Sequence, residues 1–157
     1  MDSTKRIAQA FGLTSSIFLA GINIGASYLT VPLLYTRPIS ISTPFFNEFY
    51  LRGAVTLVPL AVVSALSSAF AAYLVPAHRC LWATAAAATL SQIPWTLFAM
   101  MTTNTRLNDI AASRFEREGA SKEEVVALLK RWRWMNIVRG SLALTGGLCA
   151  IWAIMTE

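Results

Sequence analysis

Residues 136–155 read NIVRGSLALTGGLCAIWAIM, twenty consecutive positions that carry one charge, at Arg139. About 20 apolar residues, rising 1.5 Å each, cover the roughly 30 Å hydrocarbon core of a bilayer. A backbone in hydrocarbon must satisfy its own hydrogen bonds, so the run reads as a membrane-spanning helix. Upstream of it, Ser121-Lys-Glu-Glu124 has the form of a capping box. Val125, Leu128, Leu129, Trp132 and Asn136 follow at steps of three and four. One helix is therefore predicted from about Ser121 to about Met155. At about 50 Å it must project beyond the membrane.

Three more apolar runs lie earlier in the chain, at approximately 8–34, 53–75 and 81–101. None of the four contains Asp, Glu, Lys or His. The predicted fold is all-α: a single four-span integral membrane bundle over residues 1–157. Composition agrees, with 55 % hydrophobic and 13 % charged residues, against roughly 25 % charged in soluble domains. The net charge of +5 sits in short stretches between the apolar runs. That pattern fits anionic headgroups and argues against nucleic acid. Met1 to Arg6 resembles the charged start of a signal peptide. The apolar run behind it is too long for a signal peptide's apolar region of about 7–15 residues, so it reads as a retained span.

The connections differ in kind. Tyr35 to Arg52 holds Pro38, Pro44 and the aromatics Phe45, Phe46, Phe49 and Tyr50, and reads as a loop on or in the bilayer surface. Pro76 to Cys80 is a tight turn. In the third connection Leu107, Ile110, Ala111 and Phe115 have helical spacing, which predicts a short amphipathic helix ended by Gly119. Nine Lys and Arg fall in the first and third connections, against three at the amino terminus and second connection. The positive-inside rule then places the first and third connections in the cytosol. Cys80 and Cys149 fall on the other side, free or bridged. Without a transit signature, the endoplasmic reticulum is the default membrane.

Polar residues within spans usually face other helices or a cavity. Ser16, Asn23, Ser27 and Thr30 share one helix face, with Gly21 and Gly25 roughly opposite as a GxxxG suited to close packing. Thr89, Gln92, Thr96 and Thr103 repeat the pattern, beside a kink predicted at Pro94 and Trp95. These stripes serve either as interhelical glue or as the lining of a site. Trp132, Asn136 and Arg139, four and three apart, form the sharper group. Thr103 and Asn104 end the third span at the same level, and Tyr35 and Tyr50 meet that side. Such a set reads as a mouth at the cytosolic interface, where a guanidinium would stabilise negative charge on a bound oxygen. The plainer reading is an interfacial arginine reaching for lipid phosphate beside a belt tryptophan.

Other chemistries lack residues. One histidine, His78, leaves haem and His-based metal sites short of ligands. The spans offer no carboxylates for a di-iron site or proton relay. No GxGxxG follows a strand, and the two cysteines form no CxxC. An oxidation here requires a substrate that supplies its own electrons.

Several segments, in order, resemble the small anthrone oxygenase-like membrane family: Ala20-Gly-Ile-Asn-Ile-Gly-Ala-Ser27, Ile93-Pro-Trp-Thr96, and Thr103-Asn104-Thr-Arg-Leu107. Trp132, Asn136 and Arg139 match its W-x3-N-x2-R ending. The resemblance implies a four-span enzyme of aromatic polyketide pathways that oxidises an anthrone with molecular oxygen and no metal or flavin cofactor. In that role Arg139 would hold the enolate oxygen, with Asn104 and Asn136 orienting phenolic or carbonyl oxygens. Trp132 and Trp95 would stack on the rings, and Asn23, Gln92, Thr103, Tyr35 and Tyr50 would complete the pocket. Tyr35, Tyr50 or the substrate's own phenolate would act as base. The implied partners are a lipophilic aromatic molecule and the bilayer; the GxxxG and Gly146-Gly147 permit a second copy of the chain without requiring one. A cyclase or isomerase on the same scaffold, or a membrane adaptor, are the alternatives.

Overall fold

The computed structural model describes residues 2–157; Met1, which opens the signal-like stretch, lies outside them. The chain is helical nearly throughout, with α1 at Asp2–Gly25, α2 at Ile39–Leu74 and α3 at Arg79–Leu90. Then come α4 at Gln92–Trp95, α5 at Met101–Ala112, α6 at Arg114–Gly119 and α7 at Lys122–Met155. No strand occurs among the described residues. α1 packs on α2 and α7, and α3 packs on the same two helices. Four legs thus close into a bundle.

Three stretches are long and apolar enough to cross a membrane: Ser3–Leu34, Ile39–Leu74 and Lys122–Met155. The run at 81–101, expected as one span, is divided. α3 stops at Leu90, α4 follows Ser91, and a π-helical turn at Thr96–Met100 leads into α5. Pro94 is the physical reason, since it has no N–H to return to the carbonyl of Leu90. The first leg is reshaped in the same way beside Pro32, through a π-helical turn at Ala26–Thr30 and a 3-10 turn at Val31–Leu34. Such π turns often mark functional sites, and both of these border the cavity described below.

The first connection is not a surface loop. After Pro38, with extended ψ of 149°, α2 begins at Ile39 and continues for 36 residues through Pro44 and Pro59. Of the aromatics that read as an interfacial belt, Phe46, Phe49 and Tyr50 instead pack in the core, whereas Phe45 stays 49 % exposed. Phe46 meets Trp132 edge-on with ring centroids 5.3 Å apart, and Phe49 meets it at 6.2 Å. Val31, Leu107, Ile110, Val125 and Leu129 fill the same layer. At the other end an alanine-rich layer surrounds Trp82.

The amphipathic helix of the third connection exists, with Leu107, Ile110 and Ala111 buried. It ends earlier than predicted, because Ser113 caps a new helix by accepting from the Glu116 amide. Phe115 consequently leaves that face and is 83 % exposed. Arg117 donates to the last carbonyls of α5, at Ile110 and Ala111. Ser121 caps α7 by accepting from the Glu124 amide. The Glu124 carboxylate, which a full capping box would turn back on Ser121, pairs with Arg106 at 2.8 Å. Arg106 also pairs with Glu116 at 2.7 Å. The hydrogen bonds it donates to Glu124 and then to Glu116 raise its pKa further. Lys5 at the start of α1 pairs with Glu157 beyond α7. Lys5, with help from Gln9, holds the Glu157 carboxyl below its ordinary pKa. Cys80 and Cys149 are both free.

Glycines set how closely the legs approach, though not at the predicted GxxxG. A Cβ on Gly21 or Gly25 would meet nothing within 4 Å. A Cβ on Gly146 would stand 2.3 Å from Thr89 Oγ1 and 2.9 Å from the Ala85 carbonyl oxygen. Gly147 lies equally close to Ile17, so both glycines are used within the chain. Overpacking costs about 1–3 kcal/mol, whereas Gly→Ala in an open helix gains up to ~1 kcal/mol. Gly146→Ala should therefore lower the thermal unfolding midpoint in detergent while Gly21→Ala leaves it unchanged or raises it. Equal midpoints for the two variants would contradict this packing.

Candidate functional site

A cavity of about 210 Å³ lies among α1, α2, α7 and the segmented third leg. Its wall is mostly apolar. Gly53, Ala54, Leu57, Val58 and Ala61 of α2 line one side at helical spacing. The opposite side holds the polar groups Asn23, Gln92, Thr96, Asn136 and Arg139. The wall is most exposed between α2 and the Thr96–Met100 turn, where Val58 is 46 % and Leu97 53 % exposed. The opening faces sideways from the bundle.

Trp132, Asn136 and Arg139 reach the cavity together because they share one face of α7. Gly140 makes the approach of that face to α1 possible. A Cβ there would meet Ile24 Cγ1 at 2.8 Å and the Ile24 backbone nitrogen at 3.3 Å. With no side chain in the way, Arg139 reaches Asn23. Its Nη2 and Nε donate to Asn23 Oδ1 at 2.8 and 3.2 Å, and Nη1 donates to Thr96 Oγ1 at 3.5 Å. Every one of these partners is neutral. No carboxylate among the described residues pairs with this guanidinium.

Asn23 is the centre of the network. Its Nδ2 donates to the Leu19 carbonyl at 2.9 Å and to Gln92 Oε1 at 3.2 Å. Gln92 in turn donates to the Thr89 carbonyl at 2.9 Å. The Asn23 carbonyl accepts from Asn136 Nδ2 at 2.7 Å and from Ser27 Oγ at 2.9 Å. Asn136 gives its second Nδ2 hydrogen to Ser27 Oγ at 2.9 Å. Both amide hydrogens are thereby used, and Oδ1 of Asn136 is enclosed without a partner. A carbonyl only accepts, so the contact with Asn23 fixes which way the Asn136 amide points.

The polar stripes divide between interhelical contacts and the cavity wall. Ser16 bonds Ser64 Oγ at 3.0 Å and Thr89 Oγ1 at 2.9 Å, joining three legs as glue. Asn23 and Gln92 belong to the cavity wall. So do Trp132, Asn136, Arg139 and Tyr50. Four candidates lie away from that wall. Trp95 donates through Nε1 to the Met135 carbonyl at 3.0 Å and packs on the aromatic layer. Thr103 and Asn104 are buried with their side-chain polar atoms unpartnered. Asn104 shares a helix face with Met100 and Leu107 of the Trp132 layer. The Tyr35 hydroxyl is enclosed, and Lys130 Nζ lies 6.0 Å from its ring centre.

The sequence reading missed Ile22, Ala26 and the run along α2 from Gly53 to Ala61. Small residues at positions 53, 54 and 61, in helical register with Leu57 and Val58, were the available signal. No three His, Cys, Asp or Glu side chains among the described residues converge as a metal-binding group.

No solved structure matches the chain. Curated relatives do. An anthrone oxygenase of Paecilomyces divaricatus is 34 % identical, over 90 % of this chain and 91 % of that protein. An anthrone oxygenase of Aspergillus fumigatus is 27 % identical, over 99 % of this chain and 96 % of that protein. A noranthrone monooxygenase of Aspergillus flavus is 30 % identical, over 88 % and 71 % respectively. The sequence profile of the anthrone oxygenase family matches residues 46–149, a segment that holds Tyr50, Gln92, Trp132, Asn136 and Arg139. On this match and the full-length similarity to its relatives, the chain belongs to the anthrone oxygenase family.

Proposed function

We propose that this oxygenase is embedded in a membrane and oxidises an anthrone-like aromatic polyketide to its quinone with molecular oxygen, without metal or flavin. The observation that carries the proposal is Arg139, a cation on an apolar cavity wall whose hydrogen-bond partners are all neutral. A buried charge without a counter-charge is expensive. An anionic ligand oxygen supplies the missing charge, and charge developing beside a preorganised donor is strongly stabilised.

An anthrone fits this demand. Loss of a proton from its methylene places negative charge on the carbonyl oxygen across the central ring. The resulting enolate is electron-rich enough to reduce oxygen directly, so the substrate itself supplies the electrons. Arg139 holds the enolate oxygen. Asn136, bonded through Nδ2 to the Asn23 carbonyl and Ser27 Oγ, keeps the residue that Arg139 bonds in place. Trp132 offers ring surface, and the small residues of α2 leave room for a flat molecule. The side opening beside Val58 and Leu97 admits a lipophilic substrate from the hydrocarbon. In this reading the segmented third leg also crosses the bilayer, which is that of the endoplasmic reticulum. The first and third connections then face the cytosol.

Metal-stripped, flavin-free protein in detergent, given an anthrone, should consume one oxygen per quinone formed. Conversion of the substrate without oxygen uptake would replace this reading with a non-oxidative cyclase or isomerase.

A further inference from the structure

Oxidising a methylene requires a proton to leave carbon, and the proton needs an acceptor. Among the described residues lining the cavity, only Arg139 and Tyr50 have side chains that ionise. A guanidinium is permanently protonated and cannot accept. His78, in the turn at Pro76–His78 beyond α2, belongs to the end of the bundle that carries Glu157. Tyr35 is excluded by its enclosed hydroxyl.

Tyr50 is placed differently. It lines the cavity, and its hydroxyl is neither enclosed by protein nor bonded to any group among the described residues. Its ring is stacked on Phe46, with centroids 6.4 Å apart and planes 12° apart. Phe46 is in turn wedged against Trp132. Neighbours thus fix the ring and leave the oxygen free, the condition of a group held ready for a ligand.

Resting on the oxygenase reading, we infer that Tyr50 is the catalytic residue that carries the substrate's proton. In its phenolate form it takes one proton from the methylene. The C–H electron pair enters the ring system as the enolate, whose oxygen faces Arg139. Oxygen is reduced as it bonds to that carbon, giving a peroxide anion, which takes the proton back from Tyr50. The phenolate so restored removes the second methylene proton while the O–O bond breaks. The carbon becomes the quinone carbonyl, and departing hydroxide receives the proton from Tyr50 to leave as water. One anthrone and one oxygen give one quinone and one water, and Tyr50 ends as it began.

Tyr50→Phe retains the stack on Phe46 and removes only the oxygen. Its kcat for oxygen uptake should fall about 100-fold or more, while the quinone product binds as tightly as to the wild type. Substrate deuterated at the methylene should slow this variant further, because C–H cleavage has become limiting. Tyr50→His, which restores a proton acceptor, should recover part of the loss. A Tyr50→Phe enzyme that turns over at the wild-type rate would overturn the assignment, as would a loss that follows Tyr35→Phe instead. If Arg139→Leu is inactive and Tyr50→Phe is not, only the proton acceptor is wrong. If the wild-type protein takes up no oxygen with any anthrone, the oxygenase reading itself fails.

Discussion

Arg139→Leu should lose two to three orders of magnitude in oxygen uptake, about the effect of removing one preorganised donor to an oxyanion, and should keep its fold. The fold survives because removing a buried charge without a counter-charge offsets the about 1–3 kcal/mol of leaving Asn23 Oδ1 without its donor. Asn23 retains its bonds to Leu19 and Gln92, and Asn136 retains those to Asn23 and Ser27. Arg139→Lys separates charge from geometry. An ammonium brings the same charge as a compact point but cannot donate in parallel through Nε and Nη2 to Asn23. It should recover a minor part of the rate. Unchanged uptake in Arg139→Leu would remove the residue from the chemistry and leave it as a tie between α7, α1 and the third leg.

Asn23→Asp has the second largest expected effect, through charge with almost no change of shape. The side chain that now accepts from Arg139 at 2.8 and 3.2 Å would become a carboxylate at the same place. Arg139 would then hold an internal counter-ion and lose its demand for an anionic ligand. Turnover should fall about 100-fold, with the unfolding midpoint held near that of the wild type. A buried ion pair returns little net stability after desolvation, and the amide donor to Leu19 and Gln92 is lost as well. Wild-type turnover would show that the neutrality of the Arg139 surroundings is incidental. Asn23→Leu acts differently, leaving Arg139 N–H groups and Gln92 Oε1 unsatisfied, at about 1–3 kcal/mol for each buried group. Its dominant symptom should be instability.

The sequence made α7 and its charged face legible for definite reasons. A serine cap, steps of three and four, and one arginine in twenty apolar positions all point to the same helix. Trp132, Asn136 and Arg139 follow from periodicity alone, and all three line the cavity. The aromatics of the first connection misled because Phe46, Phe49 and Tyr50 suit either a membrane interface or a core. Only the packing of α2 on Trp132 decides between them. The prolines were legible only in part: the kink expected at Pro94 is present, whereas Pro44, read as part of a loop, lies within a helix. Pro44 and Pro59 lie inside one continuous helix, whereas Pro94 and Pro32 adjoin turns that redirect the legs. A missing N–H weakens a helix, but the neighbouring legs determine whether the helix breaks.

Depth was the other element hidden from the sequence. Asn104 and Thr103 have the polarity of site residues, yet α5 turns them toward the layer containing Met100 and Leu107. The cavity instead follows α2 inward to Ala61. Small residues leave space only where the facing helix also withdraws, and that depends on contacts far apart in sequence. Asn23 was legible as a buried amide with some partner. Its double bond to Arg139 requires the close approach at Gly140, which no local pattern announces.

The most direct measurement of the central claim omits oxygen. An anthrone and its enolate differ in visible absorption, so mixing substrate with protein under anaerobic conditions reports where the proton stands before any oxidation. The wild-type protein should develop the enolate band in proportion to bound substrate, and Arg139→Leu should bind substrate without it. Substrate that stays in its keto form in the wild-type cavity, or an enolate band that persists without Arg139, would contradict enolate stabilisation at this site.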